Sequence, residues 1–596
     1  MIDPDLPKLF EDPVFDDCTP RSAQPWVGTY ERLSHLHDRI GSPVPLLAGG
    51  TAEQERLRAL LELTAMADPA LFHVLFLHQC MTIGPALDFG ASAEDVAELA
   101  SGRSVGAAMN TEVGLGSSSA AIRTEAVYDP AAREFVLTSP DAAAAKYPPN
   151  VGMPGLPRLA VVSARLLVSG TDHGTHLFLV PLRSGDGGPA AGITITPRPR
   201  TSLLPLDYAA VRFDGVRVPY HRWLADGAAV SAAGEFHDPL GDPRLRTARS
   251  TGWSRFAWGA VTAGLAAVAR AAVAVALPHA GRRRTVDRWG AVEYALHRPN
   301  QQRLLFGAAA RALAATVVAR QVTEVSWRIP PGGGRGRGLP PAVMGELAQV
   351  KVAVDRLTDE AVDRCRAACG AAGFFSENRL IEYQALTSAF RAAGGDNQLM
   401  LLDAAWHMVT GDAYEPPAAP RQAPGDGDGT EPDWPLLLAA RERALYERLA
   451  AALHGAAEAG AEPSAAWHEH LDEAQAFAEA HMARVTLQAL AARWRPEPGR
   501  GPAAAGTDRD TGAEAGAPAG LLYRLLGLEF VLPHADWYAA AGLLSPAAAA
   551  GLGREVTATC RRLVPHAAAV VELLEVPSAV LRGPLAGVDY VRDLTE

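Results

Sequence analysis

The feature that most limits how this chain can fold is a double change of hydrophobic period. From about residue 51 to 99, apolar side chains such as Leu57, Leu60, Leu61 and Leu63 recur at helical spacing. From about 105 to 223 that spacing gives way to short alternating or continuous apolar runs (135–137, 159–168, 193–195) broken by Gly, Pro and Asp. Helical spacing returns over about 250–409, and again over 436–494 and 521–579. The pattern predicts a helical amino-terminal domain (1–104), a small β domain (105–225), a helical bundle (245–412) and a carboxy-terminal helical domain (436–596). Asp68-Pro69 and Ser92 stand where helix caps are expected. Segment 330–334 reads as a loop between bundle helices. The Pro-, Gly-, Ala- and Asp-rich stretches 416–435 and 496–520 read as an interdomain linker and a mobile insertion.

Bulk properties narrow the class. At 596 residues and 48% hydrophobic, the chain is too long for one core and apolar enough for several. Its net charge of −12 carries no basic stripe, which argues against nucleic acid as a partner. Five scattered cysteines, Cys18, Cys80, Cys365, Cys369 and Cys560, lack histidine partners at metal-ligand spacing, so neither a metal site nor a disulfide framework is expected. Lysine occurs only at Lys8, Lys146 and Lys351, a bias that fits a GC-rich genome. The start of the chain lacks the basic and apolar runs of a signal peptide. The apolar stretch 259–277 contains Arg270, and a buried bundle helix is expected there in place of a membrane span. No peroxisomal tripeptide closes the chain, so a cytoplasmic location is expected.

One short segment carries most of the chemistry. Thr111-Glu112-Val113-Gly114-Leu115-Gly116-Ser117 places a threonine, a glycine-bent turn and a serine where backbone N–H groups and hydroxyls can line a flavin edge and its pyrophosphate. Alone, such a turn can equally satisfy only its own backbone donors. Its surroundings add 126–130, Glu134-Phe135-Val136-Leu137, Lys146, 176–181 and 211–219. Further on come Cys369-Gly370-Ala371-Ala372-Gly373-Phe374, a helical stretch with His481, and Asp536-Trp537-Tyr538 followed by Gly542-Leu543-Leu544-Ser545-Pro546. In that order they resemble the acyl-CoA oxidase branch of the acyl-CoA dehydrogenase superfamily over nearly the whole chain.

The resemblance implies an α+β, mainly α, acyl-CoA dehydrogenase-like fold: helical domain, small β-barrel domain, helical bundle and an extra carboxy-terminal helical domain. It implies an FAD-dependent oxidoreductase, a homodimer, and a small-molecule or carrier-bound acyl substrate. In the family the flavin ring lies between the β domain and the bundle, and its adenosine end reaches a neighbouring subunit. Carried onto this sequence, the cofactor-binding positions are Asn110, Thr111, Gly116, Ser117, Asn150, Arg282, Gly370 and Gly373. Arg282 falls where the family pairs an arginine with the pyrophosphate, a task that suits a guanidinium fork. Three departures stand out. Tyr147-Pro148-Pro149-Asn150 replaces the segment that usually stacks a tryptophan on the flavin, Thr285 follows the arginines instead of phenylalanine, and Ala371 replaces a glycine.

The largest departure concerns the base. Desaturating an acyl thioester requires a carboxylate to remove the α-proton, and the family supplies a glutamate that falls here at Gly394, in Ala393-Gly394-Gly395-Asp396-Asn397. The alternative location on an earlier helix reads Gly252-Trp253-Ser254-Arg255-Phe256, without a carboxylate. Asp396 is the nearest acid and the one catalytic candidate, with helix capping as its competing role. His173, His176 and His279 have no motif that assigns them. Losing a positioned base costs on the order of 10² to 10⁴ in rate. Three readings remain open: an oxidase of an unusual substrate, a monooxygenase on the same fold, or a chain that has lost its flavin and performs a non-redox step.

Overall fold

The capping residues set the first helices. Asp68 Oδ1 accepts from the backbone N–H of Ala70 (3.0 Å) and Leu71 (3.1 Å), and Pro69 takes the first helical position, where its missing N–H costs nothing. Helix Thr51–Ala67 therefore ends and Pro69–His78 begins at the expected place. Ser92 caps Ala93–Ala100 in the same way, accepting from Asp95 N at 3.1 Å. The computed structural model describes residues 6–15, 26–198, 204–252, 254–327, 341–411, 414–418, 433–494 and 517–595. Trp253, the 330–334 loop, most of the expected linker and most of the expected insertion lie outside these residues. The chain divides into two compact units, residues 1–264 with 323–340, and residues 265–322 with 341–596.

In the first unit, six α-helices between Trp26 and Ala100 precede the strands. The long strands Arg158–Val168 and Thr171–Pro181 pair antiparallel, and Val105–Met109 and Glu125–Asp129 both run parallel to the first of them. Glu134–Thr138, Val216–Pro219 and Trp223–Leu224 complete a curled seven-stranded sheet, and Ile193–Pro197 pairs with Ala209–Phe213 as a separate hairpin. Inward residues of sheet and hairpin share one core. Its centre is aromatic: the Phe135 ring lies 5.2 Å from Phe178 and 5.3 Å from Trp223, the edge-to-face spacing that aromatic pairs favour.

The second unit is helical. Helices Pro341–Cys369, Asn397–Thr410, Trp434–Glu458 and Leu471–Trp494 meet around Val352, Leu401, Leu449 and Phe477. Arg270, buried in helix Ala257–Arg282, donates to the Leu574 carbonyl at 3.1 Å. Among the described residues, three helical stretches, Pro69–Asp88, Ala257–Arg282 and Pro299–Ser326, are long and apolar enough to cross a membrane, yet most of each apolar window is buried within the protein. Two local features differ from the sequence reading. A hairpin, Arg284–Val286 with Val292–Tyr294, interrupts the expected run of helices, and helix Ala517–Val531 begins inside the segment read as an insertion. Three-residue strands are too short to show a period, and Ala517-Pro518-Ala519-Gly520 reads as a linker by composition although proline is tolerated in a first helical turn.

Candidate cofactor-binding site

In the first unit the Thr111–Ser117 turn is held from beneath by a buried ion pair. Lys146 Nζ lies 2.9 Å from Glu112 Oε1 and donates to the Asn110 carbonyl at 3.2 Å. Glu112 also accepts from Arg123 N, Thr124 N and the Thr124 hydroxyl. Burial alone would raise the Glu112 carboxyl, but Lys146 and Thr124 outweigh it and hold it below the usual carboxylate range. Burial pushes the Lys146 ammonium down to about 8, with Glu112 opposing. Main-chain bonds Tyr147 N to Thr111 O (3.0 Å) and Val113 N to Ala145 O (3.0 Å) then lay the 145–150 segment along the turn. Gly114 backs onto Ala143, whose Cβ would lie 2.6 Å from an added side chain.

With that face fixed, Thr111, Gly116 and Ser117 are exposed, and Ser117 adopts a left-handed φ of 57°. Asn150 is buried, its Oδ1 3.2 Å from Nε2 of His73, whose burial pushes it down to about 4 and keeps it neutral. Two buried side-chain atoms at these positions, Asn110 Oδ1 and Asn150 Nδ2, have no hydrogen-bond partner among the described residues. An unsatisfied buried polar atom costs about 1–3 kcal/mol and asks for a partner. The peptide between Tyr147 and Pro148 is cis.

The predicted positions of the second unit separate into those with a local reason and those without. Gly370 follows helix Pro341–Cys369 at φ 65°, a common C-terminal stop, and Gly373 lets the Arg366 carbonyl approach to within 2.4 Å of where a Cβ would sit. Arg283, the neighbour of the expected arginine, reaches this turn, donating to Ala368 O at 3.0 Å. Arg282 itself donates to Leu585 O at 2.9 Å and leaves its buried Nε without a partner. The Leu585 segment is tied back by Asn378, which accepts from Leu585 N and donates to Ala372 O.

Asp396 is an N-cap. Its Oδ1 accepts from Gln398 N (3.0 Å) and Leu399 N (3.2 Å), which gives the one catalytic candidate its competing role of starting helix Asn397–Thr410. Gly394 is exposed at φ 68°, and no atom lies within 4 Å of an added Cβ. Of the histidines, His176 is buried with Trp223 Nε1 3.2 Å from its Nδ1, and burial pushes it down to about 3. His279 packs edge-on to Tyr590 and is pushed down to about 4, again by burial. His173 stacks near Phe236, with ring centroids 3.9 Å apart.

Sequence reasoning missed a buried cluster behind the Gly394 turn. Lys351 Nζ donates to Phe390 O (2.5 Å), Gly395 O (2.7 Å) and Asn397 Oδ1 (2.8 Å), and Asn397 Nδ2 donates to Asp355 (2.5 Å). Burial raises the Asp355 carboxyl to about 6 despite Lys351, and lowers the Lys351 ammonium to about 8. A signal was present. Two of only three lysines in an arginine-rich chain are these buried pins, where a compact ammonium with three divergent donors fits and a planar guanidinium does not.

Comparison with known proteins agrees with this architecture. Residues 259–409 match the acyl-CoA oxidase C-alpha1 domain. Mouse peroxisomal acyl-coenzyme A oxidase 1 is 26% identical over 308 residues, 51% of this chain and 46% of the relative. The mouse acyl-coenzyme A oxidase-like protein is 24% identical over 511 residues, 80% of this chain and 77% of the relative. Among solved structures, acyl-CoA oxidase 1 of Yarrowia lipolytica superposes with TM-score 0.79 at 19% identity, covering 99% of this chain and 89% of that one. Acyl-CoA oxidase-1 of Caenorhabditis elegans, solved with FAD and ATP, gives 0.78 at 22% identity, covering 97% and 87%. The fold is the acyl-CoA dehydrogenase-like one. Within that class the chain is similar to the acyl-CoA oxidases, and it spans about half the length of the peroxisomal oxidases 1 it matches.

Proposed function

We propose that this protein is an FAD-dependent oxidoreductase of the acyl-CoA oxidase type, acting as a homodimer on an acyl thioester or a related carrier-bound substrate, with chemistry that does not use the family's glutamate. The observation that carries the reading is the set of unsatisfied polar atoms at cofactor positions: Asn110 Oδ1 and Asn150 Nδ2 in the first unit, Arg282 Nε in the second. Each would gain a partner from a flavin or its pyrophosphate. Thr111 and Ser117, exposed on a turn pinned by Lys146, add hydroxyls to the first unit's share of these positions. The bound cofactor supplies a hydride acceptor that O₂ can reoxidise.

The chain's own contribution is positioning, together with a missing proton acceptor. Gly394 has no side chain, Asp396 is committed to two backbone N–H groups, and Asp355 is buried against Asn397. A substrate whose proton is already acidic, or whose nitrogen lone pair drives hydride loss, needs no carboxylate there. The test is the visible absorption spectrum of the purified protein, with and without added FAD. A flavin spectrum, with FAD affinity reduced about tenfold in Asn150→Ala, supports the reading. Failure to take up FAD at all overturns it and favours a non-redox role.

A further inference from the structure

The second unit contains a cavity of about 710 Å³ that the cofactor reading does not use. Its walls come from helices Pro299–Ser326, Pro341–Cys369, Trp434–Glu458, Leu471–Trp494 and Ala517–Val531. The size falls within the roughly 300–1,000 Å³ typical of small-molecule sites. Much of the lining is apolar, including Leu304, Leu357, Leu438, Met482 and Phe530. Five arginines and three glutamates also line it, leaving an excess of two positive charges.

Most of those charges are already spent. Arg311 and Arg364 both bind Glu529, Arg311 also holds Glu360 at 2.6 Å, and Arg356 pairs with Glu479 at 2.6 Å. Arg303 and Arg441 make no hydrogen bond or ion pair among the described residues. Arg441 is half-buried, and burial pulls the guanidinium below its usual range although Tyr538 and Glu479 oppose the shift. His534, on the same wall, is pushed down by burial and by Arg441.

We infer that this cavity binds an anionic amphiphile, an unbranched apolar chain with a carboxylate or phosphate head, with Arg441 and Arg303 receiving the head and the leucine, methionine and phenylalanine side chains receiving the tail. The apolar lining makes burial of a chain favourable, while two guanidiniums outside the cavity's ion pairs select a negative head over a neutral one. The inference stands apart from the flavin reading, because every lining residue belongs to the second unit and none is a predicted cofactor contact.

Calorimetric titration of the full-length protein with decanoate, decyl phosphate and decanol tests it. Binding of at least one anion, at least tenfold tighter than decanol and weakened at least tenfold in Arg441→Gln, is the expected result. The tighter of the two anions identifies the head. Arg303→Gln repeats the test at an exposed position that cannot disturb the core, and Arg561→Gln, on another helix, should leave binding unchanged. No binding of either anion overturns the inference. So does binding that decanol matches, or binding unaffected by both cavity substitutions.

Discussion

Replacing Lys351 with methionine keeps the volume of the stem and removes a cation that holds three acceptors. Phe390 O, Gly395 O and Asn397 Oδ1 would each lose a donor now at 2.5–2.8 Å, and Asp355 would lose the positive charge that most opposes its upward shift. Breaking one side of a buried ionic cluster costs about 3–5 kcal/mol, and the Lys351, Asp355 and Asn397 side chains are all buried. The pH dependence follows from Asp355. Its folded-state carboxyl is already raised to about 6 from an ordinary 3.8, so its contribution is fully present below about 3.8 and lost as pH rises through 6. Without Lys351 the carboxyl moves higher still. The penalty should therefore be larger at pH 7 than at pH 5. Urea unfolding at both pH values measures it, and amide exchange across residues 393–400 reads the turn locally. A second variant, Lys351→Met with Asp355→Leu, should cost less than the sum of the two single changes, because no lone carboxylate remains buried. A loss below about 1 kcal/mol, or exchange at the turn unchanged, would refute the claim that Lys351 fixes this turn.

Lys146→Met should act likewise in the first unit, costing about 3–5 kcal/mol by stranding Glu112, and should weaken FAD binding more than substitutions at exposed lysine or arginine positions. Unchanged FAD affinity in the folded variant would separate the pin from the cofactor turn. Glu442, buried against Arg484, His481 and Tyr414, titrates near 2 because these partners outweigh the effect of burial, against an ordinary 4.5. Its depressed carboxyl gives stability that is present above about 4.5 and lost as pH falls toward 2, about 3 kcal/mol in all. Glu442→Gln should flatten that acid limb in a denaturation series, and an unaltered limb would contradict the assignment. Gly394→Glu has open space for its side chain but a φ of 68°, so the cost should be about 1–2 kcal/mol, checked by its urea midpoint.

How much of this was legible in the sequence depends on the range of the interaction. Asp68, Ser92 and Asp396 cap helices through bonds that span two or three residues, and local pattern suffices to find them. The Phe135 to Leu137 alternation likewise places a strand in a shared core. What the sequence hid is long-range. Asn378 fastens Leu585 across 207 residues, and Arg282 reaches the same segment across 303, so no window of sequence could reveal that the expected phosphate arginine is partly occupied. Lys351 and Asn397 lie 46 residues apart, and the only hint of their meeting was the rarity of lysine. The hairpin after Arg283 escaped because its strands are three residues long.

The central claim, a cofactor scaffold retained without its carboxylate base, is tested most directly by anaerobic mixing of the FAD-loaded protein with a saturated fatty acyl-CoA while visible absorbance is followed. The account predicts little or no bleaching in the natural protein and faster bleaching in Gly394→Glu, since a positioned base contributes about 10²- to 10⁴-fold. Rapid, complete bleaching of the natural protein would contradict it and return the chain to ordinary thioester desaturation.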